Sequence, residues 1–122
     1  ELDAFICTQT LNFIFDVKRA VQGLHASLKP GGIALVTVAS LSPISRHDAD
    51  RWGDFWRFTP QGAQRLFEEV FGQGQVEVFA FGNSYAAACF VKGFATEECD
   101  ATQLDELDAD YSIVIGIKAQ KS

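Results

Sequence analysis

Nowhere in the 122 residues does a GxG-type glycine loop follow a strand-like apolar run. The chain therefore lacks the turn that brings a backbone close to a nucleotide cofactor. It also lacks a Tyr-Lys catalytic pair, which argues against a nucleotide-sugar-handling Rossmann enzyme. Basic residues are in the minority: the formal charge is −6, and a nucleic-acid partner would need a basic face to neutralise phosphates. Cys7, Cys89 and Cys99 are odd in number and form no CxxC pair, which fits neither a disulfide framework nor a zinc site. They read as reduced thiols in a cytoplasmic protein. The longest apolar candidate, Ser84 to Ala95, is broken by Lys92 and Gly93, too short to span a bilayer, and no signal-peptide pattern is visible. Residues 96–110 hold Glu97, Glu98, Asp100, Asp105, Glu106, Asp108 and Asp110 but no Lys or Arg. They lack the alternating ligands and central glycine of a calcium loop, so a solvated segment is expected and no metal site. No Ser-His-Asp, Cys-His or Walker-type constellation occurs.

What is present suffices for a core: 48% hydrophobic residues, eleven of them Phe, in a length that suits one domain. Asp3–Cys7 reads as a short buried strand. Asp16 is placed to cap a helix running to Leu28, with Val17, Ala20, Val21, Leu24 and Leu28 on one face. Pro30 and Gly31 stop it. Ile33–Ala39 shows no period-two alternation, which predicts a parallel strand covered on both faces. After a loop from Ser40 to Phe58, Thr59-Pro60 is an N-cap followed by proline at the first helical position. Ala63, Leu66, Phe67 and Val70 give that helix its stripe, and Gly72 closes it. Val76, Val78 and Ala80 line one face of a further strand. Ser84–Ala95 reads as a short helix, and Tyr111, Ile113, Ile115 and Ile117 line a last strand. The order is β-α-β-α-β-(α)-β, an α/β layer protein with right-handed parallel crossovers. The last two strands are close enough in sequence to pair antiparallel.

The pentapeptide Leu28-Lys29-Pro30-Gly31-Gly32, set between a helix and an apolar strand, closely resembles the second half of class I S-adenosylmethionine (SAM)-dependent methyltransferases. That resemblance implies the C-terminal half of a Rossmann-like fold, parallel strands with helices and then an antiparallel terminal pair, over residues 1–122. It also implies a domain whose first half, with the glycine-rich SAM loop and the ribose-binding acid, has no counterpart here. Since the chain starts at Glu1 rather than Met, a trimmed N-terminus and an uncovered sheet edge are expected.

Ligands of open parallel sheets bind beyond the carboxyl ends of the strands, and two segments fall there. The first, Thr8-Gln9-Thr10-Leu11-Asn12-Phe13-Ile14, looks like the family segment that flanks the SAM amino acid and sulfonium. The resemblance assigns Thr8 and Gln9 as hydrogen-bonding groups, and Leu11 and Phe13 as apolar walls, of a cofactor site. The residues alone favour a loop pinned to the helix by Leu11, Phe13 and Ile14, with Thr8 capping the strand end. Thr8-Gln9-Thr10-Leu11 has no acid or Asn followed by paired prolines, as DNA-base methyltransferases do, and no carboxylate cluster of the catechol type.

The second segment, Ser45 to Pro60, holds both tryptophans and three arginines. Trp56-Arg57-Phe58-Thr59-Pro60 resembles a segment of bacterial methyltransferases, several associated with glycan or capsule synthesis genes. Trp faces suit stacking on sugars or flat apolar surfaces, and Arg and Asp can hold hydroxyls or carboxylates. Asp48, Arg51, Trp52, Trp56 and Arg57 are thus candidate acceptor-binding residues. The structural alternative pairs Arg57 with Asp54 and makes Trp56 and Phe58 anchors of the next helix. His47 is the candidate general base, since imidazole titrates near neutrality, although methyl transfer can also proceed by alignment alone. His25 and Cys7 read as structural.

The expected activity is methyl transfer from SAM to a small-molecule or glycan acceptor, with this chain inactive by itself. The alternative is a non-catalytic interaction module that pairs through its exposed sheet edge, as a homodimer or with another chain. Neither a nucleic-acid nor a membrane partner is expected.

Overall fold

The computed structural model describes residues 1–122. Strand β1 (Leu2–Thr8) leads through a 3-10 turn at Leu11–Phe13 into helix α1 (Val17–Ser27) and strand β2 (Leu28–Ala39). Next come α2 (Arg46–Ala49), α3 (Pro60–Phe71), β3 (Val76–Phe81), α4 (Ser84–Lys92), α5 (Ala101–Leu104) and β4 (Val114–Gln120). The four strands lie in the order β1-β2-β4-β3. β1 and β2 are parallel, whereas β4 runs antiparallel to both of its neighbours. β3 thus points the same way as β2, and the hairpin-like return of β4 slots between them.

The helix caps follow the sequence closely. The Asp16 carboxylate accepts the Arg19 N–H at the start of α1, and the Thr59 hydroxyl accepts the Gly62 N–H ahead of Pro60 in α3. Each satisfies an amide with no partner inside the helix. α1 ends at Ser27, one residue earlier than expected, because Leu28 is already extended and pairs with Leu2. The Pro-Gly-Gly turn is therefore drawn into the strand. Gly31 sits at φ +82°, and a Cβ on Gly32 would lie 2.9 Å from the Lys29 carbonyl and 3.1 Å from those of Leu2 and Asp3. One glycine sets the turn and the other lets β1 approach.

α1 and α3 pack on the same side of the sheet. Val21, Leu24, Ala63, Phe67 and Phe71 meet Ala34, Val36, Val38, Ile115, Ile117 and Ala119 in one core. The other side is bare, which corrects the expectation that Ile33–Ala39 is covered on both faces. Leu35 is 45% exposed, Phe79 45%, Phe81 50% and Ile6 70%. The absence of alternation did signal two apolar faces, but only one has helices over it. β1 likewise is not buried: its only partner is β2, and its outward residues meet solvent. The final strand starts at Val114, so Tyr111, in a 3-10 turn, and Ile113 both lie outside it.

No helix is long and apolar enough to cross a membrane.

Candidate functional site

β1, β2 and β3 end at one edge of the sheet, in register through Thr8–Thr37 and through Ala39–Val114–Phe81. The connections after them therefore gather at that edge: residues 9–16, residues 40–59 and residues 82–113.

Gln9 turns the chain out of β1 with φ +49°, a left-handed conformation uncommon for a side chain of this type. It is held by its own N–H on the Thr37 carbonyl (2.9 Å) and by Nε2 on the Thr37 hydroxyl (3.3 Å). Strain that the surroundings over-determine is a recurrent property of ligand-facing turns. Thr8 is exposed at the strand end, and its carbonyl accepts the Thr10 hydroxyl. Phe13 is half-buried. Leu11 is 1% exposed and belongs to the core, so it packs first and forms a wall only at the base of the neighbouring groove. That groove, about 410 Å³, is bounded by β1, the Leu11 turn and α1, with Thr8, Thr10, Leu11 and Ile14 among its lining.

The second segment is built around an ion pair. Asp54, its side chain 1% exposed, takes Arg57 Nη1 at 2.6 Å and Nη2 at 2.8 Å, together with the Ser45 N–H at 3.0 Å. The Arg57 hydrogen bonds, opposed in part by burial and aided by Ser45, hold the Asp54 carboxyl down from 3.8 to about 2. Arg57 further donates to the carbonyls of Ser42, Pro43 and Trp56. All the N–H groups of its guanidinium are engaged within the protein. The pairing of Arg57 with Asp54, the structural alternative that the sequence offers, is present in the fold.

Trp56 is an anchor too. Its indole N–H reaches the carbonyls of Ile14 and Phe15, both at 3.1 Å, and its ring stacks on Phe15 at 5.6 Å. Phe55 meets the same Phe15 edge-on at 5.3 Å. The Phe55 ring also covers Gly53, where any Cβ would collide with it, and Gly53 has φ +109°. The two site segments are thus fastened to each other.

Asn12 completes that fastening. Its carbonyl accepts the N–H groups of both Phe55 (2.9 Å) and Trp56 (3.2 Å). Its side chain is buried at 4% exposure, with Oδ1 lacking any partner. A lone Asn inside a polar loop sequence gives no sign of such burial.

His47, Asp48, Arg51 and Trp52 lie further out. The Asp48 carboxylate accepts the Ser45 hydroxyl across the first turn of α2, and Arg51 donates to the His47 carbonyl at 2.9 Å. His47 meets Trp52 edge-on at 6.0 Å. Trp52 is 57% exposed. His25, half-buried, lies edge-on to Phe71 at 4.9 Å. Burial first, and Lys121 second, push its pKa down. Burial pushes the Cys7 thiol up, against a lowering contact with Thr10.

No protein-family model matches the chain, and no curated protein matches it by sequence. Its three-dimensional likenesses are consistent. A SAM-dependent methyltransferase of Thermotoga maritima, possibly a histamine N-methyltransferase, superposes with a TM-score of 0.58 at 14% identity over 98% of this chain. The chain has a class I methyltransferase-like fold. Phosphoethanolamine N-methyltransferase 2 of Haemonchus contortus, solved with phosphomonomethylethanolamine and S-adenosylhomocysteine, gives a TM-score of 0.61 at 13% identity over 98% of the chain. The [4+2]-cyclase SpnF gives 0.55 at 19% identity over 98%, so this architecture also serves a cyclisation. The chain spans 56%, 33% and 50% of these proteins respectively.

Proposed function

We propose that this chain is the distal part of a SAM-dependent methyltransferase domain that methylates a small-molecule or glycan acceptor. The observation that carries the reading is the joint placement of the Gln9 turn and the Ser45–Trp56 segment at the carboxyl edge of a methyltransferase-like sheet. Thr8 and Gln9 would offer exposed polar groups, and Phe13 a half-buried ring, to a cofactor at this edge. Bound SAM would supply an electrophilic methyl group on its sulfonium. Gln9, locked to Thr37, fixes where that wall stands. Asn12, Trp56 and the Asp54–Arg57 pair hold the outer segment at a set distance from it. Trp52 offers a face for a sugar or other flat acceptor, with Asp48 and Arg51 beside it. His47 is the base for an acceptor that must lose a proton; a thiolate or carboxylate would need none.

The bare sheet face and the free edge of β1 support the further reading that the cofactor site is completed by chain upstream of β1. A calorimetric titration of S-adenosylhomocysteine tests both parts, using this chain and a form extended upstream. Binding to the extended form alone is the expected result. Binding to neither would remove the methyltransferase reading, and tight binding to the 122-residue chain would remove the divided site.

The same exposed edge favours a second, non-catalytic reading, a homodimer joined strand to strand through β1. It requires a stable dimer in solution and no affinity for S-adenosylhomocysteine in either form.

A further inference from the structure

Cys89 and Cys99 are separated by a helix end and a turn, and the chain after α4 doubles back towards the helix. Gly93, left-handed at φ +74°, caps α4 and reverses the chain. The Phe94 N–H then returns to the Cys89 carbonyl at 3.0 Å. The Glu98 carboxylate binds the Ala95 N–H at 3.1 Å, closing the 3-10 turn Thr96–Glu98. Beyond it, the Asp100 N–H donates to the Tyr85 hydroxyl at 2.8 Å. Tyr85 and Cys89 lie four residues apart on α4 and so share a face, to which this bond ties the backbone next to Cys99, while the Cys99 thiol donates to the Ala95 carbonyl at 3.4 Å. Cys89 is 7% exposed and Cys99 is half-buried. Contact with the Cys89 thiol, then burial and the carboxylates of Glu98 and Glu97, push the Cys99 thiol up.

We propose that Cys89 and Cys99 are a modification site, a dithiol that closes to an intramolecular disulfide under a small-molecule disulfide oxidant such as glutathione disulfide. The Cys99 sulfur, deprotonated, attacks glutathione disulfide; its S–S bond breaks and one glutathione leaves as thiolate. The Cys89 sulfur then attacks the mixed disulfide and displaces the second glutathione. Two thiol protons are released to the two departing glutathiones, and the protein's two electrons reduce the oxidant. The high-lying thiol of Cys99 makes this a slow reaction rather than a fast peroxide sensor. Its product is a covalent latch. The acidic segment is otherwise fastened by the Asn83 carboxamide on the carbonyls of Gln103 (2.8 Å) and Glu106 (2.7 Å) and by the Asp108 N–H on the Gly82 carbonyl (2.8 Å). That segment borders the same sheet edge as the candidate site.

The test is incubation of the folded chain with glutathione disulfide, followed by alkylation, intact-mass measurement and digestion after glutamate, which cuts between Cys89 and Cys99. The expected product has lost two hydrogens, carries alkylated Cys7, and yields peptides of Cys89 and Cys99 joined until reduced. Cys99→Ser should abolish that product, while Cys7→Ser should leave it unchanged. A wild-type chain that stops at glutathionylated Cys99, stays fully alkylatable, or oxidises only through Cys7 between molecules would overturn the proposal.

Discussion

At the scale of single residues, the pair Asp54–Arg57 decides how the outer segment is held. Its contribution follows pH with a definite sign. The folded carboxyl lies near 2 against an ordinary 3.8, so its stabilisation is complete above the unfolded value and fades as pH falls through that window. With screening by nearby solvent, the pair is worth on the order of 1 kcal/mol. Asp54→Asn should cost about that much at pH 7, and the gap from wild type should close towards pH 2. Urea midpoints at several pH values measure it; a gap that stays constant with pH would mean that ionisation of Asp54 is not the cause. Part of this was legible, since an Asp three positions before an Arg invites pairing. The sequence could not show that the same Arg would also bind the carbonyls of Ser42 and Pro43, because those contacts exist only once the loop has folded back. The isolated Asn12 amide, buried and half-satisfied, was equally beyond reach.

Elements were easier to read than the contacts between them. Caps are local chemistry, so Asp16, Thr59-Pro60 and Gly72 marked α1 and α3 to within a residue. The brief α2 and the turns around the acidic segment have too few residues for any periodicity to mark them. What orders the 45–58 segment is long-range: the Trp56 indole on Ile14 and Phe15, and the Asn12 carbonyl on Phe55 and Trp56. Trp56→Ala removes the stacked ring and the bifurcated N–H, an aromatic contact worth about 1 kcal/mol plus a hydrogen bond worth about 1 kcal/mol. The loss falls on local opening rather than on the core, which Trp56 does not enter. Trypsin should then cut after Arg46 and Arg51 about tenfold faster or more, each 1.4 kcal/mol of opening being about a factor of ten. The urea midpoint of the whole chain should shift little. If proteolysis were unchanged, the hold on this segment would lie elsewhere.

For the whole molecule, the unusual property is a sheet clad on one side. A β-sheet must bury its apolar face against another layer, and here Ile6, Leu35, Phe79 and Phe81 stand on the face that none covers. The sequence carried this information only in part: apolar residues on both faces of Ile33–Ala39 mark a sheet made to be sandwiched, but not which layer is present. Contiguous exposed apolar surface and an unpaired strand edge both promote association. The isolated chain should therefore self-associate as its concentration rises. Ile6→Lys with Phe79→Lys places charge on that face without touching the α1–α3 core, so circular dichroism should stay unchanged while sedimentation returns the chain to 13.4 kDa. A wild-type chain that is monomeric at all concentrations would show that the outer face is tolerated in water as it stands. The exposed apolar residues argue against that result: the uncovered face and edge are where additional layers and strands can add without disturbing anything already packed.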